Sequence, residues 1–138
     1  MKKGLIIAII VLVVGALVLG SVLLFVPNPS SSPANKEWHD AGNFNGVETE
    51  NTASFNIQGN QSKITYTLVP NQFPESSFFN LFIYPEGETS VYTDTIALGE
   101  GKASGTNSST FSLAPGDYYF KVIVANLDSW DIQVQDYY

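Results

Sequence analysis

From Leu5 to Val26 the chain runs for 22 residues without a charge, and nothing in that run is more polar than Ser21. A helix rises about 1.5 Å per residue, so the run reaches about 33 Å, enough to cross a hydrocarbon layer of about 30 Å. Lys2 and Lys3 stand before it, whereas all 13 acidic residues stand after it. Basic residues stay on the cytoplasmic side of a spanning helix. The expected arrangement is a cytoplasmic stub (1–4), a transmembrane signal anchor (5–26) and an extracytoplasmic remainder. A cleavable secretory signal has an apolar region of about 7–15 residues that ends at a small-residue site. Val18-Leu19-Gly20 before Ser21 has that form, but the run continues from Val22 to Val26, which favours an uncleaved anchor. Gly15 and Gly20 are five apart, not the four of a small-xxx-small seam, so association through this helix is not indicated.

Charge narrows the partners. Beyond the anchor only Lys36, Lys63, Lys102 and Lys121 face the 13 acids, a net charge of −9, and the chain has no arginine. Nucleic acid and anionic headgroups are bound through positive charge, so neither is an expected partner of this region. The chain has no cysteine, which excludes a thiol-linked lipid anchor and leaves stability to core packing without disulfides.

Residues 27–36 hold three prolines and three serines, the composition of a solvated, semi-extended linker. From 37 to 138 the chain is written in the period of strands. Ile64, Tyr66 and Leu68 alternate with Lys63, Thr65 and Thr67. Phe78–Tyr84 is almost continuously apolar, as suits a central strand covered on both faces. Val91–Leu98, Thr110–Leu113, Asp117–Ala125 and the Trp130, Ile132, Val134 alternation add further strands, with Thr52–Ile57 an early one and Asp40–Gly46 a loop. Asn-Gln, Pro-Glu-Gly, Gly-Glu-Gly, Pro-Gly-Asp and Leu-Asp-Ser between them are turn chemistry. The expectation is an all-β, antiparallel, jelly-roll-like sandwich of seven or eight strands, preceded by one transmembrane helix.

Two segments carry a family resemblance. Phe78-Phe79-Asn80-Leu81-Phe82-Ile83-Tyr84, and Ser112-Leu113-Ala114-Pro115-Gly116-Asp117-Tyr118-Tyr119-Phe120-Lys121-Val122 followed by Trp130–Val134, resemble the pre-peptidase C-terminal domains. These are small jelly-roll-like modules of secreted proteins. The resemblance implies an accessory role in binding, targeting or stabilisation. Asn80 stands where that family often has an aspartate that can take part in calcium binding.

Motifs for catalysis are missing. His39 is the only histidine, and no Gly-rich phosphate loop, G-x-S-x-G elbow or HExxH occurs. Glu48/Glu50 and Glu86/Glu88 are i, i+2 pairs in turn-like sequence, where charge keeps loops in water, so no enzyme is expected. Hard oxygen ligands suit calcium outside a cell, and Asp128, Asp131 and Asp136 would be the ligands. No D-x-D-x-D-G loop supports that site, so no cofactor is expected. Trp38, Tyr92, Tyr137 and Tyr138 fall outside the alternating core pattern and form the candidate ligand platform, whereas Trp130 falls in phase with the core. Asn60 and Asn107 head N-x-S sequons that permit glycosylation.

Two functions fit these features. The first is a single-pass, membrane-anchored, non-catalytic module for binding, adhesion or envelope structure. Its partners would be the bilayer through residues 5–26 and a cell-surface glycan or envelope protein. The second is a pilin-like filament subunit, because Lys2-Lys3-Gly4 before an apolar helix resembles the class III signal of archaeal pilins, cleaved after Gly4. Ile9 stands where such a signal has glutamate.

Overall fold

Ser62, Ile64, Tyr66 and Leu68 are buried while Lys63, Thr65 and Thr67 face outward, and the same two-residue alternation writes most of the other strands. A computed structural model describes residues 34–138. The stub, the anchor, most of the linker and the cleavage sites after Gly4 and Gly20 lie outside the described residues. Among the described residues no helix is long and apolar enough to cross a membrane.

The described residues form nine strands in order: β1 (Trp38–Gly46), β2 (Glu50–Asn51), β3 (Phe55–Ile57), β4 (Ser62–Pro70), β5 (Phe78–Pro85), β6 (Asp94–Leu98), β7 (Gly105–Phe111), β8 (Gly116–Ala125) and β9 (Leu127–Tyr137). They form two antiparallel sheets. The first has the order β1-β9-β4-β7, and the second β2-β8-β5-β6 with β3 also on β8. Taking β2 and β3 as one interrupted strand, the pairs are nested: β1 with β9, β2/β3 with β8, β4 with β7, and β5 with β6. This is one long hairpin closed at β5–β6 and rolled on itself, the connectivity of a jelly roll.

The core lies between the sheets. The first sheet contributes Ile64, Tyr66, Leu68, Trp130, Ile132 and Val134; the second contributes Phe79, Leu81, Ile83, Phe120 and Val122. Rings interlock across the gap, with Tyr66 stacked on Phe79 at 5.5 Å and Phe44 edge-on to Phe120 at 5.8 Å. Trp130 is 1% exposed, and its Nε1–H donates to the Glu48 carbonyl at 3.0 Å. With no disulfide, this interdigitation is what holds the layers.

Four expectations need correction. Asp40–Gly46 is not a loop but most of β1, paired with β9 through a bulge between Asp40 and Gly42. Its glycines and asparagines have poor strand propensity, but the β9 ladder satisfies its backbone, and the missing side chains leave room for the Phe44 and Trp130 rings. Thr52–Ile57 is broken, with only Phe55–Ile57 extended on β8 and a separate two-residue β2 before it. β7 begins at Gly105, five residues before the expected Thr110, because Gly105–Ser109 pairs in register with Leu68–Ile64 despite an all-polar sequence. Leu-Asp-Ser is no turn: the chain reverses at Asn126, whose φ of 55° an asparagine tolerates, and β9 starts at Leu127.

Candidate functional site

Tyr84 and Tyr119 are register partners on β5 and β8, so both rings stand on the outer face of the second sheet. They stack at 5.4 Å with 15° between their planes. Tyr92, in the β5–β6 loop, sits edge-on to Tyr84 at 6.1 Å and to Phe82 at 5.1 Å. Four rings thus form one row, Tyr119–Tyr84–Tyr92–Phe82. Tyr84 is buried by its neighbours, Phe82 and Tyr119 are half-buried, and Tyr92 is 46% exposed.

One end of the row opens into a cleft of about 330 Å³ between residues 51–54 and the turn after β5. That turn is built by Pro85-Glu86-Gly87-Glu88: the Glu88 N–H donates to the Pro85 carbonyl at 3.0 Å, and Gly87 takes φ +87° at the third position. Positive φ there is what a type II turn requires and what glycine supplies without strain. The turn places Glu86 and Glu88 at the cleft wall, with the Ser54 hydroxyl donating to the Glu86 carboxylate. The Tyr119 hydroxyl donates to the Glu88 carbonyl at 2.6 Å, which ties the ring row to the turn. Partial burial, and then the charges of Tyr84, Glu86 and Glu88, push the Tyr119 phenol above 10.0, so it remains a neutral donor at ordinary pH.

The expected platform residues fall into two places. Tyr92 belongs to this row. Trp38, Tyr137 and Tyr138 lie at the end of the first sheet, where Trp38 packs on Tyr137 at 5.1 Å and His39 stacks on Tyr138 at 4.1 Å. Lys63 Nζ rests 4.8 Å above the Trp38 ring, and a second, smaller cleft borders Tyr138. This group therefore has a cation of its own, whereas the Tyr92 row faces two carboxylates. Sequence reasoning missed Tyr84 and Tyr119. The almost continuously apolar Phe78–Tyr84 gave no outer face for Tyr84, and only the β5–β8 register shows that the two rings meet, beside Pro-Glu-Gly.

The three aspartates that a calcium site would use are not brought together. Asp131 faces outward, while Asp136 is buried on the opposite face about 17 Å along β9 at 3.3–3.4 Å per residue. The Asp136 carboxylate is occupied, accepting from the Gln58 N–H at 2.6 Å and the Gly59 N–H at 3.0 Å. Asp128 is exposed at the start of the strand. Among the described residues no group of three His, Asp or Glu is placed to hold a metal ion.

His39, Asp136 and Ser62 occupy one row across β1, β9 and β4. The row has the residue types of a hydrolytic triad in the wrong order, since the base must lie between nucleophile and acid. Here the carboxylate is central and already bonded to backbone. Asn60 is exposed in the β3–β4 loop, and Asn107 is exposed within β7 rather than in a turn.

No family model and no curated protein matches the chain. Among solved structures it is similar to a carbohydrate-binding module from Cellvibrio mixtus lichenase 5A, solved with cellotriose, at 16% identity and TM-score 0.40, over 75% of this chain and 88% of the other. It is also similar to a chain from the disulfide-linked pili of Bacillus endospore appendages, at 13% identity and TM-score 0.43, over 80% and 96%.

Proposed function

We propose that this chain is a non-catalytic carbohydrate-binding module, carried at the cell surface by the apolar segment 5–26. The observation that carries the reading is the four-ring row meeting a carboxylate-bearing cleft on one sheet face. A pyranose presents a C–H face that packs on an aromatic ring and a rim of hydroxyls that need acceptors. Tyr92 and Tyr119 offer the ring surface, and Glu86, Glu88 and the Tyr119 hydroxyl offer the polar partners. A cleft of about 330 Å³ is at the small end of ligand sites, which suits one or two sugar units. The resemblance of Phe78–Tyr84 and Ser112–Val122 to accessory modules supports the same role, and the acidic surface suits a neutral or amino-bearing glycan rather than a polyanion.

Full-length protein in nanodiscs, applied to a glycan array, tests the proposal. The expected result is retention on a defined glycan class, lost in Tyr92→Ala and Tyr119→Ala. Absence of retention on neutral, acidic and amino-sugar glycans overturns it.

The filament reading rests on Lys2-Lys3-Gly4 standing directly before the apolar run. A mature terminus at Leu5, read by mass analysis of native protein, would establish the cleavage that it requires.

A further inference from the structure

β7 is the outermost strand of the first sheet, bonded to β4 on one side only, and no described residue bonds to its other side. An edge like this offers a row of unpaired N–H and C=O groups to any chain that can lie alongside. The other edges are blunted. β1 carries the bulge at Asp40/Gly42 and is flanked by Glu37; β6 is five residues long and starts at Asp94; β2 and β3 are short and separated. β7 has seven residues, an even register, no proline and no charge.

Its surroundings are unusual for this protein. In a chain with 13 acids, residues 101–116 contain none, and the segment's one charge is Lys102. The adjoining outer face of β4 adds Lys63, Thr65 and Thr67. Two copies of so acidic a molecule repel over most of their surface, but they can approach here without facing like charges. Asn107, on the inward side of β7, is nevertheless exposed, so the second sheet does not cover this margin.

We propose that β7 is the docking edge for a second copy of this chain. Antiparallel pairing centred on Ser108 sets Thr106 of one copy opposite Thr110 of the other, and Asn107 opposite Ser109. Hydroxyl pairs of this kind stabilise cross-strand neighbours, and β7 already makes one with β4, Thr67 Oγ1 to Thr106 Oγ1 at 2.8 Å. The result is a continuous eight-stranded sheet about a two-fold axis perpendicular to it. That symmetry turns both second sheets, and so both ring rows with their clefts, toward the same side.

The chain has no cysteine, so Ser108→Cys in the full-length protein, made in a host without N-glycosylation, introduces one thiol per copy. Directly opposed residues in antiparallel strands lie about 4.5–5.5 Å apart at Cα, inside the range that a disulfide bridges. Mild oxidation in nanodiscs or detergent is expected to give a covalent dimer with Ser108→Cys and monomer with Asn45→Cys on the opposite edge. Ser108→Lys, which opposes two like charges at the two-fold, is expected to abolish the dimer in sedimentation while the melting temperature is kept. Equal cross-linking at both positions, monomer with Ser108→Cys, or a dimer that survives in a folded Ser108→Lys protein overturns the proposal. The cysteine arm stands by itself if the lysine variant does not fold.

Discussion

Gly46 and Trp130 face each other across β1 and β9 so closely that a Cβ on Gly46 would stand 2.4 Å from Trp130 Cζ2. The indole is fixed in the core by its bond to the Glu48 carbonyl and cannot swing aside without breaking it. Gly46→Ala is therefore expected to lower stability by about 1–3 kcal/mol, the usual cost of overpacking, read as the shift in a chemical denaturation midpoint. A midpoint equal to that of the wild type would show that the ring relaxes freely.

Asp136 joins the β3–β4 loop to β9 by accepting two backbone N–H bonds from inside the protein. Asp136→Ala leaves those donors unpaired, and a loss of about 1.5–3 kcal/mol is expected for bonds to a charged acceptor. Asp131→Asn, on the solvent face, is expected to leave the midpoint unchanged.

Because Asp128, Asp131 and Asp136 are spread along β9, millimolar calcium is expected to leave the melting temperature unchanged. A calcium-dependent rise that Asp131→Asn removes would contradict the geometry described above.

Tyr92 is the most exposed ring of the row and contributes little to the core. Tyr92→Ala is expected to weaken glycan binding by about fivefold or more, equivalent to about 1 kcal/mol of aromatic contact, without lowering the melting temperature. Tyr119→Phe keeps the ring but loses the bond to the Glu88 carbonyl, so its effect separates stacking from placement of the turn.

The Tyr66 and Tyr119 phenols are both raised above 10.0, Tyr66 by burial and Tyr119 by partial burial and neighbouring negative charge. A phenol with a raised folded value favours the folded state below its unfolded value, and that contribution fades as pH climbs through the folded one. Stability is expected to be flat in these groups below pH 10 and to fall above it. In an absorbance titration at 295 nm, Tyr66→Phe and Tyr119→Phe are each expected to remove signal that develops above pH 10. Loss of signal below pH 10 in either variant would refute this.

Strands with an apolar pattern were legible in the chain: the alternating Ile64–Leu68, Tyr118–Val122 and Trp130–Val134 occupy β4, β8 and β9, and the almost continuously apolar Phe78–Tyr84 occupies β5. β1 and β7 were not, because Gly-Asn-Phe-Asn-Gly and Gly-Thr-Asn-Ser-Ser lack the apolar period and are extended only through the neighbour that pairs with them. The site divides in the same way. Tyr92 stood out as an aromatic outside the alternation, and Pro-Glu-Gly stood out as a turn. Their proximity to Tyr84 and Tyr119 depends on a cross-strand register that no local pattern encodes.

Glu37 and Tyr138 exchange backbone bonds, N–H to carbonyl at 3.0 Å and 3.2 Å, so the two ends of the sandwich's chain leave it side by side. A short linker could join them, and new ends could be opened at Gly99–Gly101, where the chain is already exposed and turning. Such a circular permutant should keep every ladder of the roll. The same adjacency lets the domain be spliced into a surface loop of another protein as a cassette, entering and leaving through one narrow gate.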